Sequence, residues 1–256
     1  MGRCIYVNLL VGCCTIPAAV SIKRFTNKVV LILGGTSGIG RAAALQFSAE
    51  GALVMIGGRN IENGARVVEQ IRLAGSDGDF VQTDVCSPEQ VEAVVARTVE
   101  RFGSLDCAFN NAGWEGTGTA TADTSETDWQ HMIDVKLSGV WRGVREQIRA
   151  MLQFNGGAIV NMAGNWGLVG FPNYASYCAV AHGVIGLTKA AALEYVDQGI
   201  RINAVCPGAV DAPMLDRMAG GDAATKSSFG AGLPIGRLCS ETDVAEAVVW
   251  LASDSA

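Results

Sequence analysis

The sequence predicts one α/β domain in which helices cover both faces of a doubly wound parallel sheet, and three observations predict it. Short apolar runs rich in Val and Ile alternate with longer segments of helical periodicity. The connections between them are brief, as in strand–helix–strand crossovers. The chain has 256 residues, 49% hydrophobic with 32 glycines, enough for one full core, and no internal repeat or low-complexity tract marks a second domain.

Residues 28–40, KVVLILGGTSGIG, set the rest in order. Residues 29–33 are apolar and largely β-branched, as in a strand buried on both faces, and they stop at glycine. Gly34, Gly38 and Gly40 are spaced to turn the chain sharply, to bring bare backbone to a pyrophosphate, and to seat the next helix, 39–50, on the strand. That helix points free N–H groups and its positive dipole end at the same anion, with Thr36, Ser37 and Ile39 in the turn.

The second strand is predicted at 52–56 and its helix at 61–74. A third strand at 79–82 precedes a helix that runs to Phe102, opened by Ser87 as N-cap and Pro88 at its first position. The fourth strand spans 105–109, a long helix 125–154, the fifth strand 158–162, a second long helix 174–196, the sixth strand 201–205 and a last helix 241–252. Right-handed crossovers then place a ligand outside the carboxyl ends of the strands.

The residues at those ends carry a cofactor argument. The second strand finishes in Gly57-Gly58-Arg59, where an acidic residue would hold the ribose hydroxyls of NAD. A guanidinium there suits a 2′-phosphate, so NADP(H) is preferred and NAD(H) is the alternative. The competing reading of Arg59 is a solvated loop cation. Asp84 and Val85 follow the third strand, Asn110, Ala112 and Gly113 the fourth, and Pro207, Gly208 and Val210 the sixth, each placed to meet the dinucleotide.

Composition excludes other classes. A net charge of −6 without any run of Lys or Arg excludes nucleic acid as partner. Eight cysteines lie scattered, with no zinc or redox spacing and no metal site, and read as buried, reduced thiols of a cytoplasmic protein. Residues 1–24 stand apart. Their apolar stretch is broken by Asn8, Gly12, Thr15 and Pro17, a poor membrane span, and only Arg3 precedes the Leu10-Val11-Gly12-Cys13 box that a lipoprotein signal would need. Tyr6 stands where myristoylation asks for Ser or Thr. The expectation is a poorly ordered extension ahead of a single domain at 25–256.

On Gly34-x-x-x-Gly38-Ile39-Gly40, Asp84-Val85, Asn110-Asn111-Ala112-Gly113, Tyr177 with Gly186-Leu187-Thr188-Lys189 behind it, and Asn203-x-x-x-Pro207-Gly208, the chain resembles the short-chain dehydrogenase/reductase family. The match runs over residues 28–254 in the family's order. The resemblance implies a Rossmann-like NAD(P)-binding domain that interconverts a small alcohol and a carbonyl compound. It also implies a homodimer or homotetramer packed through the two long helices. The family's sheet has a seventh strand, which this chain is expected to lack, leaving the sixth as an edge.

The same resemblance implies a proton-transferring tyrosine with a lysine four residues on, a serine after the fifth strand, and an asparagine on the first long helix that supports a relay water. The register set by Gly186 makes the tyrosine Tyr177. The lysine position is Ala181, the serine position Gly164, the asparagine position Lys136, and the threonine that grips the nicotinamide amide is Ala212. Leu33 likewise replaces a threonine before the first glycine.

An unassisted phenol titrates near pH ~10, so about one in a thousand is ionised at neutral pH. Two readings stand. In the first, the protein is an NADP(H)-linked oxidoreductase of impaired or altered chemistry with Tyr177 as catalytic acid, and Lys136 sends its ammonium into the space that Ala181 leaves empty. In the second it is a non-catalytic dinucleotide-binding or scaffold protein. Asn165 is a candidate stand-in for the missing serine, and Trp114, Trp166, Phe171 and Met214 are candidates for an apolar substrate pocket.

Overall fold

The computed structural model describes residues 23–256, so the expected extension at 1–24 lies outside the described residues save for Lys23 and Arg24. Arg24 pairs with Glu50 at 2.8 Å. Phe25 is buried edge-on against Phe47, with ring centroids 4.9 Å apart.

The strands are β1 (Val29–Leu33), β2 (Leu53–Gly58), β3 (Gly78–Gln82), β4 (Cys107–Asn110), β5 (Gly157–Met162) and β6 (Ile200–Val205), in the order β3-β2-β1-β4-β5-β6. All pairs are parallel, with Val30 level with Val54 on one side and Cys107 on the other. The helices are α1 (Gly38–Ala49), α2 (Ile61–Leu73), α3 (Pro88–Phe102), α4 (Glu126–Met132), α5 (Gly139–Met151) and α6 (Ala175–Tyr195). Beyond β6 come β7 (Val210–Asp211), α7 (Pro213–Met218), α8 (Ala223–Ala231), β8 (Cys239–Ser240) and α9 (Glu241–Ala252).

Alternation along β1 explains the layering. Val30 and Ile32 pack with Phe47 of α1, Val67 of α2 and Val248 of α9. Leu31 and Leu33 turn the other way, onto Val94 of α3, Ile148 of α5 and Val184 of α6. Both faces are covered, which is why the strands read as unbroken apolar runs. The chain leaves β1 toward β3 and returns to β4, so the strand order reverses between β1 and β4, and a crevice opens there.

A buried polar chain ties the layers. Asn110 Nδ2 donates to Gln147 Oε1 and Asn161 Oδ1, and Asn161 Nδ2 donates to Thr188 Oγ1, whose hydroxyl donates to Val184 O. Four elements, β4, α5, β5 and α6, are thereby held in one register with these polar groups satisfied.

Three expectations need correction. The long helix expected at 125–154 is interrupted by a π-helical segment, Ile133–Ser138, between α4 and α5. Its extra residue per turn buries both Val135 and Lys136, and such segments recur at functional sites. The span between the sixth strand and the last helix holds two strands and two helices, too short and too weakly amphipathic to announce themselves. Of the described cysteines only Cys107 is buried; Cys86, Cys178, Cys206 and Cys239 are half-buried, and all five are free thiols.

The sheet ends at β6, whose Arg201 donates to the carbonyls of Leu251, Ala252 and Ser253 and so fastens the end of α9 to the edge strand. No helix among the described residues is long and apolar enough to cross a membrane.

Candidate active site

The crevice opens into a cavity of about 1040 Å³ at the carboxyl ends of the strands. Its anion end is built by β1, the glycine turn and α1. Gly34 has φ of +84°, and a Cβ there would stand 2.6 Å from the Ala112 nitrogen, so only glycine lets the two turns touch. Asn111 Nδ2 closes the contact by donating to Gly34 O at 2.9 Å.

Side chains cap the starts of α2, α3, α4, α8 and α9, through Asn60, Ser87, Ser125, Asp222 and Ser240. The start of α1 has neither a side-chain cap from Ser37 nor an acidic residue in its first turn. Its free N–H groups face the cavity, a fit for a dinucleotide pyrophosphate.

Of the residues that the sequence offers to the dinucleotide, Gly34, Thr36, Ser37, Gly38, Ile39, Arg59, Asp84, Val85, Ala112, Gly113, Pro207, Gly208 and Val210 line the cavity. Two do not. Gly40 lies beneath Gly34, where a Cβ would meet Gly34 O, and serves helix packing. Asn110 points its amide into the buried network, and its neighbour Asn111 takes the place at the cavity. Thr83 and Asn63 also line it and carried no motif in the sequence.

Tyr177, in the first turn of α6, faces the cavity. Lys136 is only 2% exposed, and its ammonium lies 4.5 Å from the centroid of the Tyr177 ring. None of the ion pairs among the described residues includes Lys136 or Arg59. Ala181, one turn on from Tyr177, is fully buried and supplies no polar group.

Gly164 adopts φ of +96° and ψ of 157°, and a Cβ there would stand 3.3 Å from Tyr177 Oη. Asn165 follows it at the cavity wall, its backbone N–H donating to Pro207 O. Ala212 precedes α7 across from Gly38.

Beyond Tyr177 the wall is aromatic. The Trp166 ring stacks on Phe171 with centroids 4.4 Å apart and meets Tyr177 edge-on at 5.1 Å, and Phe171 in turn faces Phe229 of α8 at 6.4 Å. Trp114 and Met214 line the same cavity. Arg217 of α7 grips Glu115 through two hydrogen bonds and so ties α7 to the loop after β4. His182 is exposed, its Nδ1 2.9 Å from Cys178 O, and His131 packs against Trp114; neither meets Tyr177.

The family described as enoyl-(acyl carrier protein) reductase matches residues 34–256. Cyclohexanol dehydrogenase of Acinetobacter sp. (strain SE19) is 40% identical over 234 residues, which cover 91% of each chain. The crystal structure of levodione reductase superposes with a TM-score of 0.87 at 35% identity, covering 90% of this chain and 92% of that one. An actinorhodin polyketide ketoreductase variant with NADPH superposes with a TM-score of 0.84 at 37% identity, covering 90% and 92%. Family match, shared length and shared architecture agree: the chain belongs to the short-chain dehydrogenase/reductase family.

Proposed function

We propose that the protein is an NADP(H)-linked oxidoreductase that interconverts a small alcohol and its carbonyl compound, with Tyr177 as the proton-transferring residue and Lys136 as the cation beside it. The observation that carries this reading is the buried Lys136 ammonium 4.5 Å from the Tyr177 ring centroid, while the turn after Tyr177 offers only the apolar Ala181. Relatives named as a cyclohexanol dehydrogenase and a levodione reductase support the reaction class. Arg59, free of any acidic partner among the described residues and placed at the end of β2, supports the choice of a 2′-phosphate. Exposed Trp141 on α5 and Leu193 on α6 fit a homodimer or homotetramer packed through those helices.

When bound along the uncapped end of α1, the dinucleotide supplies or takes up a hydride. In the reductive direction Tyr177 Oη gives its proton to the carbonyl oxygen as that oxygen gains charge. Lys136 places a buried positive charge over the ring of Tyr177. In the oxidative direction Tyr177 Oη takes up the alcohol proton. The backbone of Gly164 brings no hydroxyl to the substrate oxygen, so orientation falls to Tyr177 and the cavity wall.

A second reading, a dinucleotide-binding protein without turnover, is favoured by Gly164 and Ala181, which remove two side chains of the family's usual set. Titration with NADPH and NADH, followed by NADPH consumption with a panel of carbonyl compounds, separates the two. Tight NADPH binding with turnover supports the enzyme. Binding without turnover at any pH from neutral to alkaline overturns it in favour of the second reading.

A further inference from the structure

Resting on the oxidoreductase reading, we propose that the substrate is an uncharged ring-bearing ketone or secondary alcohol whose ring packs against the aromatic wall formed by Trp166, Phe171 and Phe229. The wall begins at the reacting group, because Trp166 meets Tyr177 edge-on. It continues without a break through the stacked Trp166 and Phe171 pair, tilted by only 15°, to Phe229 at 28°. A carbonyl at Tyr177 Oη therefore has the rest of its carbon frame beside aromatic rings rather than polar groups.

Two further observations narrow the class. Phe171 is 39% exposed and Val169 54% exposed at the mouth of the cavity, so apolar surface stands open beside the wall. An apolar ring covers that surface, and its rigid frame meets the aromatic wall with less lost conformational freedom than an open chain of equal carbon count. The charge inventory excludes acids and phosphates. Along the wall beyond Tyr177 the cationic groups are committed: Arg217 donates two hydrogen bonds to Glu115, and Lys226 of α8 sits 2.6 Å from both Asp211 and Asp216. Arg59 lies at the far, dinucleotide end with the α1 turn. The unpaired Lys136 lies buried against the Tyr177 ring at the reacting end, so a carboxylate carried farther along the wall would find only cations already paired with carboxylates to repay its desolvation.

The test compares cyclohexanone and α-tetralone with methyl butyl ketone and with the α-keto acid of the same length, reading kcat/KM for NADPH consumption. Quenching of tryptophan fluorescence by each compound gives a second readout that does not need turnover. The expected result is at least about a tenfold preference for the ring ketones, within the range by which apolar pockets discriminate. Trp166→Ala is expected to raise KM for α-tetralone about tenfold, more than it raises KM for methyl butyl ketone, and to remove the α-tetralone quenching. Phe229→Ala is expected to act in the same direction, and covers the case in which Trp166→Ala fails to fold. Equal or better kcat/KM for the open-chain ketone or the keto acid, or quenching by none of the compounds, overturns the proposal. Absence of turnover with saturable α-tetralone quenching that Trp166→Ala abolishes would sink the oxidoreductase reading and leave the ring site standing.

Discussion

The ammonium of Lys136 stands 4.5 Å from the centroid of the Tyr177 ring although the two residues lie on different helical segments, and Ala181, one turn after Tyr177, leaves that turn without a cation. The charge reaches the phenol from the π-helical segment instead of from α6. Lys136→Met keeps the bulk and removes the charge, and is expected to lower kcat by ~10²-fold or more. The loss should be larger for alcohol oxidation than for carbonyl reduction, because reduction starts from a phenol that already holds its proton. Lys136→Asn combined with Ala181→Lys moves the cation to α6 and is expected to regain activity over Lys136→Asn alone. Steady-state rates in both directions check this; unchanged activity in Lys136→Met would sink it.

Restoring the serine should fail for a backbone reason. At φ of +96° and ψ of 157° Gly164 occupies a region that residues with a Cβ avoid, and its Cβ would crowd Tyr177 Oη at 3.3 Å. Gly164→Ser is expected to cost about 1–3 kcal/mol of stability and to leave kcat no higher. Thermal or denaturant unfolding measures the first and an activity assay the second. A variant that is as stable as the parent and faster would show that the loop relaxes into a different path.

What the chain announced and what it concealed have separate physical causes. Residues 29–33 were legible because a strand covered on both faces must be apolar at every position, and Ser87 with Pro88 because a helix start needs an acceptor and tolerates a missing N–H. Side-chain periodicity does not reveal one extra residue in a turn, so the π-helical segment was read as unbroken helix. Asn110 and Asn111 are chemically alike and adjacent. Only the pairing of Asn110 with Gln147 and Asn161 tells which of them faces the core. Gly164 was visible as a missing hydroxyl, whereas its left-handed backbone was not.

Arg59 is the residue that should decide cofactor choice. It lines the cavity beyond Gly58 with no ion pair among the described residues, while its carbonyl accepts from Gln82 Nε2, which holds the backbone in place without engaging the guanidinium. Arg59→Ala is expected to weaken NADPH binding about tenfold or more and to change NADH binding by less than about threefold, since a phosphate contact carries charge-assisted hydrogen bonds. Isothermal titration with both cofactors checks it. An equal loss for both would return Arg59 to the status of a surface cation.

The thiols near the fold's centre should be inert. Burial pushes the Cys107 thiol up to about 12, with Asp106 adding to the shift, and burial with Asp84 beside it pushes Cys86 up to about 11. The thiolate is the reactive form, so iodoacetamide at mildly alkaline pH is expected to leave both unmodified in the folded protein. Peptide mapping by mass spectrometry reads the sites. Modification of Cys107 without unfolding would contradict its placement in the core.

Glu241 offers a pH dependence whose sign follows from its surroundings. This half-buried carboxyl opens α9 and lies 3.8 Å from where a Cβ on Gly38 would stand, close to the turn that faces the dinucleotide pyrophosphate. Burial raises its pKa above the ordinary carboxylate value, opposed by Arg41 and reinforced by Asp211. A carboxyl whose folded value is raised holds its proton more tightly in the folded state. At neutral pH it is charged and repels the phosphates; as pH falls through the raised value it becomes neutral and the repulsion disappears. Glu241→Gln, neutral at every pH, is therefore expected to bind NADPH about threefold more tightly than the parent at neutral pH, a like-charge repulsion softened by solvent. The two proteins should converge as the pH is taken below the raised value, where the parent has taken up its proton. Calorimetric titration at the two pH values separates this from a packing effect, because a lost contact in Glu241→Gln would change affinity equally at both.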